Sequence, residues 1–241
     1  SRRQRQMCIR DRRELPIGVP KLMVSTMASG DTTPYVGSSD IMMLPSIVDV
    51  AGVNTFSARI YNNAVAAMTG MLTVPHPEMT DAKPLIAATM FGVTTPCIVK
   101  AQEYLESQGY EVLVFHATGT GGRCMESLID GGFITGVLDL TTTEWCDEIV
   151  GGVLNAGPGR CDAAALCGIP TVISTGALDM VNFGPYDTVP PQFADRNLYK
   201  HNPTVTLMRT TAEECEKIGK TIAGKINTVS YTHLTLPTIN R

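Results

Sequence analysis

The chain has 241 residues, which is enough for one or two domains, and it is 44% hydrophobic and 17% charged. It carries 19 basic and 23 acidic residues, for a formal net charge of −4. No run approaches the roughly 18 consecutive apolar residues of a membrane helix, so we expect no membrane partner.

The two ends contain stretches that we expect to be foreign to the protein. "MCIRD" at residues 7–11 and "VSYTH" at residues 229–233 can be encoded by one DNA segment read in opposite directions. A sequencing adapter ligated to both ends of a metagenomic fragment would produce that relation. We therefore predict non-native sequence at residues 1–12 and 229–241.

Setting these ends aside changes the charge balance. Seven arginines, Arg13 included, and one aspartate lie outside residues 14–228, which leaves 12 basic and 22 acidic residues there and a net charge of −10. A basic arm would have favoured phosphate-backbone binding, whereas this acidic remainder has no basic stripe. We therefore expect no nucleic-acid partner.

The first native stretch predicts part of an α/β unit. "LPIGVPKLMVST" and "IMMLPSIVD" are apolar runs typical of buried strands, and "NTFSARIYNNAVAAMTGML" has helical spacing with Asn54 or Thr55 as the cap. We interpret residues 13–72 as the C-terminal part of a first α/β domain. "TVPHPEMTDAKP" at residues 73–84 carries three prolines and is predicted to be a linker.

A second unit, residues 85–228, alternates strands with helices. "LIAATMF", "YEVLVFHA", "FITGVLDL" and "IPTVIST" are predicted strands, while "TTPCIVKAQEYLESQG", "GGRCMESLIDGG", "TEWCDEIVGGVL" and "RCDAAALCG" are predicted helices. A Pro-rich irregular stretch and a helix over residues 211–227 follow. This alternation predicts a doubly wound parallel sheet with crossovers on both faces, incomplete at its C-terminal end.

Polar and glycine residues gather where these strands end, which is where open parallel sheets bind ligands. The candidate ligand-binding residues share that position: Ser29, Gly30, Asp31 and Thr32 in the first unit, and Gly92, Thr94, Thr95, Thr118, Gly119, Thr120, Gly121, Gly122, Arg123, Asp139, Thr141, Thr142 and Thr143 in the second. Two such loops on two α/β units suggest a ligand cleft between the domains.

The stretch "HATGTGGR" is the most informative of these. Glycines that open a helix let backbone N–H groups approach an anion, and Arg123 could bind a phosphate or carboxylate through two hydrogen bonds. The stretch is neither a P-loop nor a complete G-x-G-x-x-G, although Asp139 lies 20 residues after Gly119, where a ribose-binding acid would stand. The alternative is a tight strand-to-helix turn.

Three residues are candidates for catalysis. His116 at a strand end fits a general base, an anion donor or a core histidine. Glu144 fits either a functional carboxylate or an ordinary first-turn residue favoured by the helix dipole. Asp179 lies in the apolar "GALDMVNFG", where a carboxylate needs partners. No grouping has metal-ligand spacing, and the sequence does not decide whether the protein is an enzyme.

Six cysteines remain without the predicted foreign ends, none in a C-x-x-C pair. We expect reduced thiols and a cytoplasmic location.

Several long motifs occur in order: "LPIGVPKLMVSTMASGDTTPYVGSSDIMMLPSIVDVAGVN", "MFGVTTPC", "VFHATGTGGRCMESL", "GVLDLTTTE" and "GALDMVNFGP". In these the sequence resembles the ATP-binding domain family typified by the inhibitory N-terminal region of the tomato mosaic virus resistance protein. The bacterial and fungal members of this group are catalogued as an uncharacterised protein family. The resemblance implies two Rossmann-like α/β domains, ATP as cofactor (alone or with Mg²⁺) and a homodimer. It also implies a chain shortened at both ends.

The leading hypothesis is therefore a nucleotide-binding protein that holds ATP on strand-end Gly/Thr loops in or near an interdomain cleft. One alternative is a protein-interaction or inhibitory module in which ATP is structural or regulatory. Another is a nicotinamide-dependent oxidoreductase, based on the spacing from Gly119 to Asp139.

Overall fold

The structure, a computed structural model, describes residues 15–75, 81–227 and 232–235. The chain divides into two compact units, Ser1–Ala82 and Lys83–Arg241. The predicted foreign head at residues 1–12, the middle of the predicted linker (76–80) and most of the predicted foreign tail lie outside the described residues. Both units contain parallel strands and helices, so the predicted α/β fold is confirmed.

The first unit is built on two parallel strands. Strand β1 (Leu22–Ser25) pairs in register with β2 (Met42–Pro45), and the short helix α1 (Thr33–Val36) lies between them in the chain. Helix α2 (Thr55–Thr73) follows β2. Its cap is Asn54, one of the two candidates from the sequence, whose Oδ1 accepts hydrogen bonds from the amides of Phe56 at 3.0 Å and Ser57 at 2.9 Å.

A buried lysine fixes the start of this two-stranded sheet. Lys21 is 4% exposed, and its Nζ lies 2.6 Å from Asp40 Oδ1 and donates to the carbonyls of Pro16 and Val19. Burial works to raise the pKa of Asp40, but the hydrogen bonds from Lys21 and from the Gly18 amide, together with the charge of Lys21, outweigh burial and lower that pKa. The residue preceding β1 is thereby tied to the segment that leads into β2.

The second unit contains two sheets and five helices among the residues that the structure describes. The strands are β3 (Leu85–Met90), β4 (Glu111–His116), β5 (Gly136–Asp139), β6 (Thr171–Ser174), β7 (Met180–Phe183), β8 (Leu198–Asn202), β9 (Val205–Arg209) and β10 (Thr232–Thr235). The helices are α3 (Thr95–Ser107), α4 (Thr120–Asp130), α5 (Glu144–Val150), α6 (Ala163–Leu166) and α7 (Ala212–Ile226).

The larger sheet has the spatial order β10-β6-β5-β3-β4, and all of its pairs are parallel. Numbered from its first strand, this is the order 2-1-3-4-5 of flavodoxin-like doubly wound sheets. The described part of the predicted foreign tail is β10, whose backbone pairs with β6.

Helices cover both faces of this sheet. Neighbouring residues of β3 point to opposite sides: Ala87 packs in a cluster with Met125 and Ile129 of α4, and Ala88 packs with Ile98 of α3. Because alternate residues of a strand face opposite sides, a run that is apolar throughout indicates burial on both faces.

The expectation of an irregular Pro-rich stretch after β6 is wrong. Strands β7, β9 and β8 form an antiparallel sheet in that order. Its inner residues Val181 and Met208 are fully buried in a cluster that includes Trp145 and Ile218. The strands have only four or five residues, so tertiary packing rather than local periodicity stabilises them.

Helix α7 begins with a reciprocal cap. Thr211 Oγ1 accepts from the Glu214 amide at 3.2 Å, and Glu214 Oε2 accepts from the Thr211 amide at 2.8 Å. Arg196 donates to both Glu214 oxygens and lowers the pKa of this carboxyl. The cap thus connects α7 to the loop before β8.

We expect Thr211→Ala to lower the free energy of unfolding by about 1 kcal/mol, because an orphaned amide in the first turn loses its acceptor. Thr221→Ala is the matched control, since the Thr221 hydroxyl only returns to the Lys217 carbonyl inside the same helix. Urea unfolding of both variants checks this, and an equal loss in the control would contradict it.

Candidate functional site

The candidate site lies at the carboxyl edge of the five-stranded sheet. The chain runs from β3 outward to β4 and then returns to β5 on the other side of β3. Ligands of open α/β sheets bind at such a reversal of strand order. The turns that follow these strands are residues 91–94 after β3, residues 117–119 after β4 and residues 140–143 after β5.

A buried ion cluster lies behind these turns. Arg160 binds Asp139 through two hydrogen bonds, from Nη1 to Oδ2 at 2.6 Å and from Nη2 to Oδ1 at 2.7 Å. Its Nε donates to Glu144 Oε2 at 2.6 Å, and Nη1 lies 3.4 Å from Glu126 Oε1. We call Arg160, Asp139, Glu144 and Glu126 the Arg160 cluster.

The cluster is almost completely shielded from water. Arg160, Asp139 and Glu144 are each 1% exposed. Burial opposes the charge of Arg160, but the carboxylates of Asp139 and Glu144 and the neighbouring Cys161 together outweigh that effect and raise the pKa of Arg160. Burial also raises the pKa of Glu126, against the attraction of Arg160. A buried charge of this kind is retained only when its partners surround it, which is the arrangement here.

The predicted anion-binding amides of "HATGTGGR" are present, and the anion they hold is the carboxylate of Glu144. Glu144 Oε1 accepts from the amide of Gly119 at 2.6 Å and from that of Gly122 at 3.1 Å. The remaining oxygen of this carboxylate binds Arg160. The position expected for a phosphate at these two amides is therefore filled by the chain itself.

The glycines of this loop are required by close packing. Gly119 has φ +84°, and a Cβ there would meet the Asn155 carbonyl. A Cβ on Gly121 would meet the His116 carbonyl, and one on Gly122 would meet the Glu144 carboxylate. Thr118 is half-buried, Thr120 and Arg123 are exposed, and the Arg123 Nη1 donates to the Asn155 carbonyl at 2.9 Å.

The glycine after β3 is different. Gly92 is exposed, opens a 3-10 turn (Gly92–Thr94), and a Cβ built on it would have no other atom within 4 Å. Next to it, the Phe91 ring lies 5.7 Å from the ring of His116, which is exposed. The structure thus places His116 at the surface of the strand edge and not in the core.

The predicted threonines divide into two sets. Thr94 and Thr95 are half-buried at the start of α3, and both hydroxyls donate to the Phe91 carbonyl. Thr141, Thr142 and Thr143 are buried.

In the buried set, the hydroxyls of Thr141 and Thr142 bind within the chain. Thr141 Oγ1 lies 2.7 Å from Thr94 Oγ1, and its amide donates to Thr89 Oγ1, which in turn donates to Asp139 at 2.6 Å. Thr142 donates to the Ser174 carbonyl. Thr141 and Thr142 therefore stabilise the turns at the strand ends from inside the protein.

Two other predictions concern exposed residues. In the first unit, Ser29, Gly30 and Asp31 are exposed and Thr32 is half-buried. Asp31 accepts from the Thr33 amide, and hydrogen bonds from the side chain and the amide of Thr33 lower the pKa of Asp31. Asp179 has a charged partner, but at the surface: it forms an ion pair with Arg209 in which both side chains are 54% exposed.

Sequence reasoning missed Arg160, Glu126 and Asp147. Arg160 stands in "NAGPGRCDAAALCG", where a single cation among small residues is the signal that was available. Asp147 is fully buried and accepts from the Asn182 amide and from its Nδ2, each at 2.8 Å. Burial raises the pKa of Asp147 to about 6.

Among the side chains that the structure describes, no group of three or more His, Cys, Asp or Glu residues could hold a metal ion. None of the described helices has the length and apolar character needed to cross a membrane.

Fold and site together define a doubly wound α/β protein with an ion cluster beneath the carboxyl edge of its sheet. The chain belongs to the uncharacterised protein family UPF0261. Residues 83–239 match the C-terminal domain of this family, and residues 5–77 match its N-terminal domain.

The relatives of this chain come from bacteria and a plant. A UPF0261 protein of Clostridium tetani is 64% identical over 215 residues, which is 89% of this chain and 53% of the relative. One from Rhizobium meliloti is 56% identical over 218 residues, 90% of this chain and 54% of the relative. The ToMV resistance protein Tm-1(GCR237) of Solanum lycopersicum is 51% identical over 223 residues, 90% of this chain and 30% of that protein. The chain therefore spans about half the length of the bacterial relatives.

We expect Gly121→Ala to destabilise the second unit by about 1–3 kcal/mol or more, because the new methyl group must displace the His116 backbone. Gly219→Ala on α7 is the control, since a Cβ there meets no other atom within 4 Å and should raise stability by up to about 1 kcal/mol. Thermal unfolding of the two variants checks this. Equal stability of both would contradict the packing argument.

We expect Asp147 to make the protein less stable as the pH rises from about 4 to about 6. Its pKa is about 6 when folded, against an ordinary value of 3.8, so the folded state binds more protons in this window. The loss is on the order of 1–3 kcal/mol and is complete above that window. Asp147→Asn should remove this slope, whereas Asp179→Asn should keep it. Urea unfolding at a series of pH values measures both, and an unchanged slope in Asp147→Asn would contradict the assignment.

Proposed function

We propose that this chain is part of a nucleotide-binding protein and that ATP binds at the carboxyl edge of the second unit, between β3 and β5. The observation that carries the proposal is the open Gly92 turn at the reversal of strand order. Gly119, Gly121 and Gly122 are each closed off by the protein's own atoms, whereas Gly92 leaves its backbone open to a ligand.

The residues around Gly92 suit the parts of a nucleotide. The turn leads directly into α3, a helix of 13 residues, so that backbone N–H groups and the helix dipole favour a phosphate there. Thr94 and Thr95 bring hydroxyl groups to the same turn, and Arg123 brings an exposed cation to the neighbouring strand end. The adjacent rings of Phe91 and His116 offer a surface on which a base could stack.

In this proposal the phosphates bind at the turn that contains Gly92, whereas the sequence predicted them at the glycine loop after β4. The amides of Gly119 and Gly122 already serve Glu144, so the glycine loop acts as a wall of the site and Thr118, Thr120 and Arg123 act as its exposed rim. Any Mg²⁺ would arrive bound to the phosphates, as this ion keeps several waters and few protein ligands at nucleotide sites.

Two alternatives differ in their support. The nicotinamide alternative requires the glycine loop and the ribose-binding acid on neighbouring strands, whereas β3 separates β4 from β5 and Asp139 binds Arg160. An interaction module in which ATP is regulatory is compatible with the tomato relative, whose name refers to ToMV resistance.

The proposal extends to the setting of the protein. The six described cysteines are free thiols, as is usual in the reducing cytoplasm, where we place the protein. We also propose a homodimer, which sedimentation equilibrium of the purified chain would detect.

The experiment is a thermal-shift titration of this chain with ATP–Mg²⁺ and separately with NAD. At 100 times its dissociation constant, ATP should stabilise the chain by about 2.7 kcal/mol, while NAD should not. Gly92→Asp puts a carboxylate beside the phosphates and Arg123→Ala removes a cation, so each should weaken ATP binding by about tenfold or more.

Gly219→Asp is the control for an added carboxylate at an open glycine away from the turn, and it should bind ATP as the parent does. The proposal fails if ATP causes no shift in the parent chain, or if Gly92→Asp binds ATP as tightly as the parent.

A further inference from the structure

A continuous path of hydrogen bonds connects the turn after β3 to the glycine loop after β4. From the turn, Thr94 Oγ1 lies 2.7 Å from Thr141 Oγ1, and the Thr141 amide donates to Thr89 Oγ1 at 3.0 Å. Thr89 Oγ1 then donates to Asp139 Oδ1 at 2.6 Å. Asp139 accepts two hydrogen bonds from Arg160.

On its other side, Arg160 continues the path to the glycine loop. Its Nε donates to Glu144 Oε2 at 2.6 Å, and Glu144 Oε1 accepts from the amides of Gly119 and Gly122. Asp139 binds Arg160 through both oxygens and Thr89 through Oδ1, whereas Glu144 binds Arg160 through Oε2 and the glycine loop through Oε1. Arg160 is the member of the path that both halves share.

The chemistry of the arginine side chain makes this arrangement possible. Guanidinium is planar and offers donors in fixed directions, so that Nη1 and Nη2 engage Asp139 while Nε engages Glu144. A lysine ammonium has the same charge but lacks this geometry and cannot hold both carboxylates in the same orientation. With Arg160 1% exposed, water cannot replace the lost hydrogen bonds.

We infer that Arg160 is a positioning residue that fixes the conformation of two elements at once, the turn after β3 and the glycine loop after β4. This rests on the proposed function in one respect, namely that these two elements are walls of the nucleotide site. Arg160 does not touch the ligand in this arrangement. It acts through Asp139 and Thr89 on one wall and through Glu144 on the other.

The test is hydrogen–deuterium exchange of the full chain, read at residues 91–95, at residues 117–123 and in β8 and β9 as a reference. Arg160→Lys keeps the charge and should raise exchange by about tenfold at both strand-end elements, with little change in β8 and β9. Arg209→Lys, at the exposed ion pair with Asp179, is the matched control and should change neither element.

A second variant cuts the path on one side only. Thr141→Val keeps the shape of the side chain and removes the hydroxyl that contacts Thr94, so exchange should rise at residues 91–95 and not at residues 117–123. In the double variant, Arg160→Lys should add exchange at residues 117–123 and little more at residues 91–95, because the path is already cut.

Two outcomes would overturn the inference. In one, Arg160→Lys raises exchange equally throughout the unit, β8 and β9 included, as a general loss of stability would. In the other, its effect at residues 91–95 is the same with and without Thr141→Val. If Arg160→Lys proves unfolded, Thr89→Val cuts the path on the β3 side and Glu144→Gln cuts it on the side of the glycine loop. Exchange should then rise at residues 91–95 in the first variant and at residues 117–123 in the second, and a rise in neither would overturn the inference.

An ATP titration of the same variants separates this inference from the proposed function. If the parent chain binds ATP, Arg160→Lys should weaken binding by about tenfold while Arg209→Lys leaves it unchanged. If the parent does not bind ATP, the proposed function fails, and the exchange pattern still decides whether Arg160 couples the two elements.

Discussion

The arrangement of the second unit depends on the contact of Arg160 with Asp139 and Glu144. Asp139 is the last residue of β5 and Glu144 the first of α5, so one guanidinium fixes both ends of the turn that connects them. Through Glu144 it also fixes the start of α4. Three elements that converge at the carboxyl edge of the sheet are therefore held by one buried cation, and removing it would leave two buried carboxylates without their principal partner.

Small residues make this arrangement sterically possible. Gly122 leaves room for the Glu144 carboxylate, and Gly121 lets α4 approach the backbone of β4 at His116. The buried charges of the Arg160 cluster therefore fit beneath the loop because the glycines of the loop lack side chains. A glycine-rich strand end can serve a phosphate or an internal carboxylate with the same amides, because both are anions that a helix start stabilises.

The alternating strands and helices of the parallel sheet could be predicted from the sequence. The antiparallel sheet of β7, β8 and β9 could not. The strands β3 to β6 and the long helices have strong apolar patterns and recognisable start signals, such as Asn54 at the cap of α2 and Pro96 in the first turn of α3. Strands β7 to β9 are short and separated by prolines, and they are stabilised by the core around Trp145 and Met208. Such non-local packing leaves little trace in a single sequence.

The same distinction applies to the candidate site. Its position at the strand ends followed from the topology of parallel sheets, but the role of each residue depended on partners distant in the chain. Glu144 binds amides 22 and 25 residues away and Arg160 binds Asp139 21 residues away, and no local pattern specifies either contact. Both Gly92 and Gly119 were candidates from the sequence, and the stretch that contains Gly119 was the more informative. Only the three-dimensional surroundings separate a glycine whose space the chain fills from one that it leaves open, and our proposal of a nucleotide at the turn after β3 rests on that difference.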